Sequence, residues 1–285
     1  MKILVTGATG FIGQHVIRCL LKRTDLEIIG TTRDLNKAKK IDFYEKIKFI
    51  EIDLSMENRT VFHQLDSPDI LIHLAWDNLP NYNEHFHIKK NLVENKKFIF
   101  NMINSGLNDI TVSGTCFEYG MKSGCLHEKL IASPINRYGI SKNSLRIFTE
   151  DLQIDFDFSF KWLRLFYTFG EGQGSGSLIA QIEKTAASSI KKFNMSGGDQ
   201  IRDYLPVNEM AELIVRCSLQ KKIDGIINCC SGKPISIKNL VGNYIKEKGY
   251  DIKINFGAFP YPDYEPMAFW GDNRKLNEVL LNEKK

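Results

Sequence analysis

A short apolar run near the start of the chain gives way to three glycines spaced three residues apart. Residues 3–5 are Ile-Leu-Val, the glycines are Gly7, Gly10 and Gly13, and apolar side chains resume at helical spacing over 12–21. This pattern predicts a buried strand, a tight turn and an amphipathic helix, the first part of a βαβ unit. Glycine permits the turn and lets the backbone approach a pyrophosphate, whose charge favours the N-terminal end of a helix. The stretch therefore predicts a dinucleotide-binding fold, although an ordinary glycine-containing turn has the same composition.

The spacing Gly-x-x-Gly-x-x-Gly over 7–13 resembles that of the extended short-chain dehydrogenase/reductases, the NAD-dependent epimerase/dehydratase family that modifies nucleotide sugars. The resemblance implies an α/β fold with a doubly wound parallel sheet, the Rossmann fold, and a smaller C-terminal substrate-binding domain. Residues 1–166 would bind NAD(P), with 200–230 returning to that domain. Residues 167–199 and 231–285 would bind the substrate.

Composition argues against several other classes of protein. The chain has 285 residues, of which 43% are hydrophobic and 25% charged, as in an ordinary globular protein with a substantial core. Its net charge is +4, and its lysines occur in scattered pairs, which favours solvated helix faces over a nucleic-acid groove. No apolar stretch approaches the roughly twenty residues that span a bilayer, and the N-terminus is predicted to be a strand rather than a signal peptide. We expect a cytoplasmic protein that binds neither nucleic acid nor membrane.

The six cysteines show neither metal-ligand spacing nor a disulfide framework, so no metal site is expected. Cys229 and Cys230 lie in an apolar run and are predicted to be buried free thiols.

The end of the second predicted strand bears on the choice of cofactor. An acidic residue there would bind a ribose 2′-hydroxyl and repel a 2′-phosphate, but this chain has Thr32 and Arg33, with Lys37 nearby. A guanidinium can pair with a phosphate, so the sequence favours NADP(H) over NAD(H), although Asp34 weakens the preference. NAD(H) stays the alternative.

Other cofactor contacts come from the resemblance. Asp53 stands where the family contacts adenine, although it could equally be a helix cap. The segment 73–76, His-Leu-Ala-Trp, resembles the family's His-Leu-Ala-Ala, and Trp76 departs from it. His73 is expected to be a buried, hydrogen-bonded histidine. The resemblance implies that the remaining cofactor-binding residues are Gly7, Thr9, Gly10, Phe11, Ile12, Gly13, Leu54, Leu74, Ala75, Asn91 and Ser113.

Three residues form the predicted catalytic group. Tyr138 and Lys142 are four residues apart on a predicted helix, so they lie on one face, one turn apart. Thr115 follows the preceding strand. A carbonyl that accepts hydride needs a proton donor, and a nearby ammonium should lower the pKa of a tyrosine so that it can serve as one. The same trio occurs in short-chain reductases, where the lysine also holds the nicotinamide ribose.

The substrate residues are also assigned by resemblance. Arg202, in the Arg-Asp-Tyr segment 202–204, stands where the family binds the substrate diphosphate; the alternative is a surface ion pair with Asp203. Tyr167 replaces the asparagine usual in 4-epimerases. The other candidate substrate-binding residues are Asn78, Thr115, Cys116, Phe117 and Tyr264.

The resemblance implies an NADPH-dependent reductase of a nucleotide-linked 4-keto-6-deoxyhexose, such as dTDP-4-dehydro-6-deoxyglucose, in deoxysugar and polysaccharide biosynthesis. A UDP-hexose 4-epimerase with bound NAD is the first alternative, and a non-catalytic NAD(P)-binding sensor is the second. A 4,6-dehydratase is less expected because Cys116 and Phe117 replace the Asp-Glu pair its chemistry requires. The helices beginning near Glu84 and Tyr138 are those that pair between subunits in the family, so a homodimer is expected.

Overall fold

Strands and helices alternate through most of the chain in the computed structural model, which describes residues 1–54, 60–79, 81–263 and 265–282. The strands are β1 (Lys2–Thr6), β2 (Glu27–Thr32), β3 (Lys48–Glu51), β4 (Ile70–His73), β5 (Asp109–Thr115), β6 (Gly124–Leu126), β7 (Ser159–Leu165), β8 (Tyr167–Phe169), β9 (Lys192–Asn194), β10 (Ile201–Pro206), β11 (Gly225–Cys229), β12 (Pro234–Ser236), β13 (Lys253–Asn255) and β14 (Phe269–Gly271). The helices are α1 (Phe11–Leu20), α2 (Leu35–Ala38), α3 (Val61–Gln64), α4 (Val93–Asn104), α5 (Arg137–Asp151), α6 (Leu178–Ala187), α7 (Val207–Leu219), α8 (Ile237–Glu247) and α9 (Arg274–Asn282).

Seven strands form one parallel sheet in the order β11-β7-β5-β4-β1-β2-β3. The strand order reverses between β1 and β4, and this switch point opens a crevice at the carboxyl ends of the strands. The doubly wound parallel sheet predicted from the sequence is therefore confirmed.

The sheet is covered on both faces, which explains its continuous apolar strands. Successive side chains of a strand point to opposite faces, so Ile3 and Val5 of β1 pack with α1 and α7, while Leu4 packs with α4 and α5. The strand-turn-helix predicted over residues 3–21 is confirmed, and it places the glycine turn at the crevice.

Among the described residues, the other strands form one three-stranded sheet and two two-stranded sheets. They pair β12-β10-β8, β13-β9 and β14-β6. Within the segment 200–230, β11 joins the large sheet, whereas β10 pairs with β8 and β12. The division of the chain into cofactor and substrate domains stays a prediction.

The helix predicted to begin near Glu84 has a different start. A π-helical turn, His87–Leu92, precedes the regular helix α4. Within this turn the side-chain amide of Asn91 lies 3.3 Å from Nδ1 of His87; both residues are buried, and Asn91 lines the crevice. None of the helices in the described part of the chain is long and apolar enough to cross a membrane.

Candidate active site

The glycine turn after β1 leaves no room for a side chain at Gly7 or Gly13. Gly7 has a φ of +71°, and a Cβ there would lie 2.9 Å from the amide nitrogen of Ala75. A Cβ at Gly13 would lie 2.1 Å from the carbonyl oxygen of Gly7, so α1 packs against the turn only because residue 13 has no side chain. Gly10 is the N-cap of α1 and offers no side-chain cap, which leaves the first turn suited to a phosphate. The turn therefore fits the pyrophosphate of a dinucleotide.

A cavity of about 230 Å³ extends from this turn along the crevice. An adjoining cavity of about 380 Å³ shares Arg33, Ile52, Asp53 and Leu54 with it and reaches Phe98 and Asn101. Together they form an elongated groove across β1, β2, β3 and β4. The predicted cofactor residues that line the first cavity are Gly7, Thr9, Gly10, Thr32, Arg33, Asp53, Leu54, Leu74, Ala75, Trp76 and Asn91. Phe11, Ile12, Gly13, Ser113, Tyr138 and Lys142 lie outside this lining.

The residues expected to choose the cofactor already have protein partners. Arg33 forms an ion pair with Asp77 at 2.6 Å across the cavity mouth. The Thr32 hydroxyl donates to the carbonyl oxygen of Asp34 at 3.0 Å, and the Asp34 carboxylate caps α2. A 2′-phosphate would have to compete with Asp77 for Arg33.

Thr115, Tyr138 and Lys142 converge at the carboxyl end of β5. Thr115 ends β5, and its hydroxyl caps a short 3₁₀ helix over 116–119. Tyr138 lies in the first turn of α5, where the side chain of Asn136 caps the helix, and the Thr115 side chain lies near its phenol. Lys142 lies one turn later and donates to the carbonyl oxygen of Ser113 at 2.8 Å. All three predicted catalytic side chains are buried.

Their electrostatics differ from the sequence expectation in one respect. Burial raises the pKa of the Tyr138 phenol above its usual value, and the nearby Thr115 hydroxyl opposes this only in part. Burial also lowers the pKa of Lys142 to about 7. The expected lowering of the tyrosine pKa is wrong for the chain alone, because desolvation is the largest influence on the phenol and the Lys142 ammonium is turned towards Ser113.

Trp76 lies at the centre of the site. Its ring faces the Lys142 ammonium at 4.1 Å and packs edge-on against Tyr138 at 5.9 Å. Its Nε1 donates to Nδ1 of His87 at 3.1 Å. His73, below it on β4, is fully buried and hydrogen-bonds to Thr6 and Asn95, as expected for a structural histidine.

A buried carboxylate supports the backbone of Thr115. Glu118 accepts from the Thr115 amide at 2.9 Å and from the Trp162 indole at 2.9 Å. It also pairs with Arg164 at 2.8 Å, with both side chains at most 1% exposed. This network lies directly behind the predicted catalytic threonine.

The candidate substrate residues differ in burial. Phe117 is buried, with its ring centroid 4.8 Å from that of Tyr82 and 6.3 Å from that of Tyr138, and Cys116 is buried beside it. Asn78 is exposed, and its side-chain oxygen accepts from Asn81. Tyr264 lies outside the described residues.

Arg202 does not form a surface ion pair with Asp203. Its guanidinium is buried and pairs with Glu265 at 2.7 Å. Glu265 also accepts from the Tyr167 hydroxyl at 2.6 Å. Asp203 points elsewhere, to Ser231 and nearby backbone amides, so the alternative considered from the sequence is wrong. Arg202 and Tyr167 are brought together through a carboxylate that sequence reasoning had not singled out.

Four residues of this site had no assigned role in the sequence: Asp77, His87, Glu118 and Glu265. Each contacts a residue from another element of the fold: Arg33 for Asp77, Trp76 for His87, Arg164 for Glu118 and Arg202 for Glu265. The spacing of His87 four residues before Asn91 was the one local signal for the histidine.

Comparison with known proteins agrees with this geometry. The model of the NAD-dependent epimerase/dehydratase family matches residues 3–230. The chain belongs to this family. The resemblance inferred from the glycine spacing and the Tyr-Lys pair is thereby confirmed, and the family description names NAD as the cofactor.

Three relatives of this family member span nearly its whole length. A dTDP-6-deoxy-L-talose 4-dehydrogenase (NAD(+)) of Aggregatibacter actinomycetemcomitans is 30% identical over 95% of this chain and 99% of the relative. A GDP-6-deoxy-D-talose 4-dehydrogenase of the same organism is 26% identical over 99% of this chain and 92% of the relative. The crystal structure of UDP-glucuronic acid 4-epimerase from Bacillus cereus in complex with NAD has a TM-score of 0.83 and 26% identity, covering 99% and 92% of the two chains.

Proposed function

We propose that the chain is an NAD(H)-dependent oxidoreductase that interconverts the C4 carbonyl and C4 hydroxyl of a nucleotide-linked 6-deoxyhexose. The observation that carries the proposal is the convergence of Thr115, Tyr138 and Lys142 beside the groove that starts at the glycine turn. The two dehydrogenases named above are similar to this chain along almost all of its length, which supports a 6-deoxyhexose as substrate.

Each side chain has a distinct part in this reaction. A dinucleotide held in the groove would supply hydride for reduction of the sugar carbonyl and would accept it in the reverse direction. Tyr138 donates the proton to the sugar oxygen, and the Thr115 hydroxyl orients that oxygen. The Lys142 ammonium stabilises the phenolate left after proton transfer and would hold the nicotinamide ribose.

The proposed cofactor is NAD(H), although Arg33 alone favours NADP(H). Asp77 already neutralises the Arg33 guanidinium at 2.6 Å, so a 2′-phosphate gains less from that charge. The groove residues that would hold the dinucleotide are Gly7, Gly10, Asp53, Leu74 and Ala75, with Thr32 near the adenosine ribose.

The second candidate is a 4-epimerase, which the similarity to the Bacillus cereus enzyme supports. Tyr167 favours the dehydrogenase instead. Its hydroxyl is engaged with Glu265 at 2.6 Å, where 4-epimerases usually present an asparagine to the substrate diphosphate.

The decisive experiment follows cofactor absorbance with dTDP-, GDP- and UDP-linked 4-keto-6-deoxyhexoses. We expect NADH consumption, reduced about 10³-fold by Tyr138→Phe because the proton donor is lost. Tyr250→Phe, a tyrosine outside the site, is the matched control and should keep the wild-type rate.

Two other results would overturn the proposal. Epimerisation of a UDP-hexose with no net change in absorbance would identify an epimerase. Binding of cofactor without turnover of any sugar nucleotide would identify a sensor.

We also propose that a second copy of the chain covers one face of α4 and α5. Val93 and Phe100 on α4, and Ile140 and Ile147 on α5, are each 37–44% exposed. Both pairs are seven residues apart, the spacing at which side chains repeat on a face that packs against another helix.

A further inference from the structure

The Lys142 ammonium is enclosed from two sides. The Ser113 carbonyl oxygen accepts its hydrogen bond at 2.8 Å, and the Trp76 ring faces the nitrogen at 4.1 Å. The lysine is 1% exposed, so water cannot replace either contact. An aromatic face stabilises a desolvated cation, and indole does so best among the natural side chains.

Trp76 is itself fixed in place. Its indole N–H donates to Nδ1 of His87 at 3.1 Å, while Nε2 of His87 lies 3.0 Å from the carbonyl oxygen of Asn81. A carbonyl oxygen only accepts hydrogen bonds, so Nε2 carries the proton and Nδ1 is the acceptor. The neutral tautomer of His87 is therefore the one that orients the indole.

The same contacts reach Tyr138. The phenol ring packs against Trp76 and His87, with centroids 5.9 and 5.5 Å away. The Tyr138 amide donates to the carbonyl oxygen of Tyr82 at 2.9 Å. The segment around Asn81 and Tyr82 is thus held by both His87 and α5.

We propose that Trp76 is a positioning residue for Lys142, which it holds against the Ser113 carbonyl while His87 fixes the indole. The inference rests on the proposed function for the part that Lys142 plays in the reaction. It also accounts for the bulky indole at a position where the family resemblance implies a small side chain: the ring takes the place of solvent around the ammonium.

The charged and titratable groups facing Lys142 come from several elements. Glu118, after β5, favours the ammonium, and Tyr138 lies on the same helix. His73 on β4 and His87 on the π-helical turn also lie near Lys142. Burial, and after it the Lys142 charge, lowers the pKa of His73 to about 3 and also lowers the pKa of His87. Because these histidines lie close to Lys142, the titration follows the signal of the lysine itself.

The test measures the Lys142 pKa directly in the full chain labelled with ¹³C-lysine, by NMR titration, with the signal assigned through Lys142→Met. Removal of the π-face in Trp76→Leu should lower that pKa by about one pH unit, whereas Trp76→Phe should lower it less. His87→Leu should also lower it, and His87→Asn, whose amide can accept near the Nδ1 position, should recover part of the loss.

Phe148→Leu is the matched control, since Lys96 lies 5.0 Å over that ring at a distance from the site. An unchanged Lys142 pKa in Trp76→Leu, equal to that of Phe148→Leu, would overturn the inference. In the active enzyme, the alkaline limb of kcat/KM for reduction should move to lower pH in Trp76→Leu. If the wild-type chain turns over no sugar nucleotide, the proposed function fails, while the NMR titration still decides the part played by Trp76.

Discussion

The Glu118 carboxylate accepts a hydrogen bond from the backbone amide of Thr115 at 2.9 Å. The Glu118 side chain has no exposed surface. The carboxylate therefore links the end of β5 to Arg164, near the carboxyl end of the neighbouring strand β7. The position of the predicted catalytic threonine depends on an ion pair formed behind it.

Glu118→Gln is expected to lower the free energy of unfolding by about 3 kcal/mol, because it leaves the Arg164 charge buried without a counter-ion. Urea denaturation measures the change. Glu150→Gln removes a half-exposed partner of Arg146 on α5 and should cost no more than about 0.5 kcal/mol. Equal losses of unfolding free energy in the two variants would show that the buried Glu118–Arg164 pair contributes no more to stability than a surface pair.

Lys142→Met is expected to stabilise the fold while it abolishes turnover. Burial lowers the pKa of Lys142 to about 7 from 10.5, so between these values the unfolded chain binds more protons at this site than the folded chain. The free energy of unfolding therefore rises with pH between these two values. The amount by which the buried lysine lowers that free energy is greatest at and below neutral pH.

The variant should gain on the order of 2 kcal/mol near pH 7, and the gain should shrink towards pH 10. Lys161→Met is the contrasting control, since Lys161 is buried in an ion pair with Asp109 and its loss should destabilise. A Lys142→Met variant less stable than wild type at neutral pH would contradict the burial cost.

Asp77→Asn is expected to change cofactor choice. It frees the Arg33 guanidinium to meet a 2′-phosphate, so the ratio of kcat/KM for NADPH to that for NADH should rise about tenfold. Arg33→Ala should lower the same ratio. Asp42→Asn removes the comparable partner of Arg18, on α1, and should leave the ratio unaltered. A ratio that does not respond to Asp77→Asn would place the 2′-position of the ribose away from Arg33.

Glu265→Gln is expected to tighten binding of a nucleoside diphosphate. The Arg202 donors are occupied by Glu265 and by the carbonyl oxygens of Ile201 and Met267, so a diphosphate reaches the guanidinium by displacing the carboxylate. Calorimetric titration with dTDP and UDP should show a several-fold lower Kd.

Glu183→Gln is the control, because Glu183 accepts from Tyr244 in a similar Tyr-Glu pair on the surface. Weaker binding in Glu265→Gln would instead show that the carboxylate contacts the ligand or holds Arg202 in its binding position.

Ile147→Asp is expected to dissociate the proposed dimer, because it buries a charge in an apolar helix face. Light scattering coupled to gel filtration measures the mass. Ile190→Asp alters a more exposed isoleucine, 71% exposed and away from α4 and α5, and should leave the mass unchanged. A wild-type chain that is monomeric at micromolar concentration would overturn the proposed interface.

Local patterns were sufficient to predict the fold and much of the candidate site. Glycine spacing located the turn at Gly7, and a separation of four residues placed Tyr138 and Lys142 on one helix face. These signals work because each depends on geometry within one element. The roles assigned to these residues stay predictions until the variants above are measured.

The remaining features depend on partners distant in the chain. Arg33 suggested a phosphate ligand, but its charge is met by Asp77, 44 residues later. Glu265 lies 63 residues from Arg202 and 98 from Tyr167, so spacing alone gave no sign of that cluster. The direction of the Tyr138 pKa shift was predicted wrongly because burial, which no local pattern reports, raises that pKa.

The π-helical turn His87–Leu92 has a consequence for how related sequences are aligned. Loss of one residue there would restore a regular helix but rotate His87 by about 100° relative to α4, since an α-helix has 3.6 residues per turn. The indole of Trp76 would lose its acceptor even though no side chain of the site had been replaced. Within the family, a tryptophan at this position should therefore occur together with the full length of the segment that follows it. Relatives without the tryptophan should differ from those that have it by a one-residue gap in that segment, more clearly than by any single substitution.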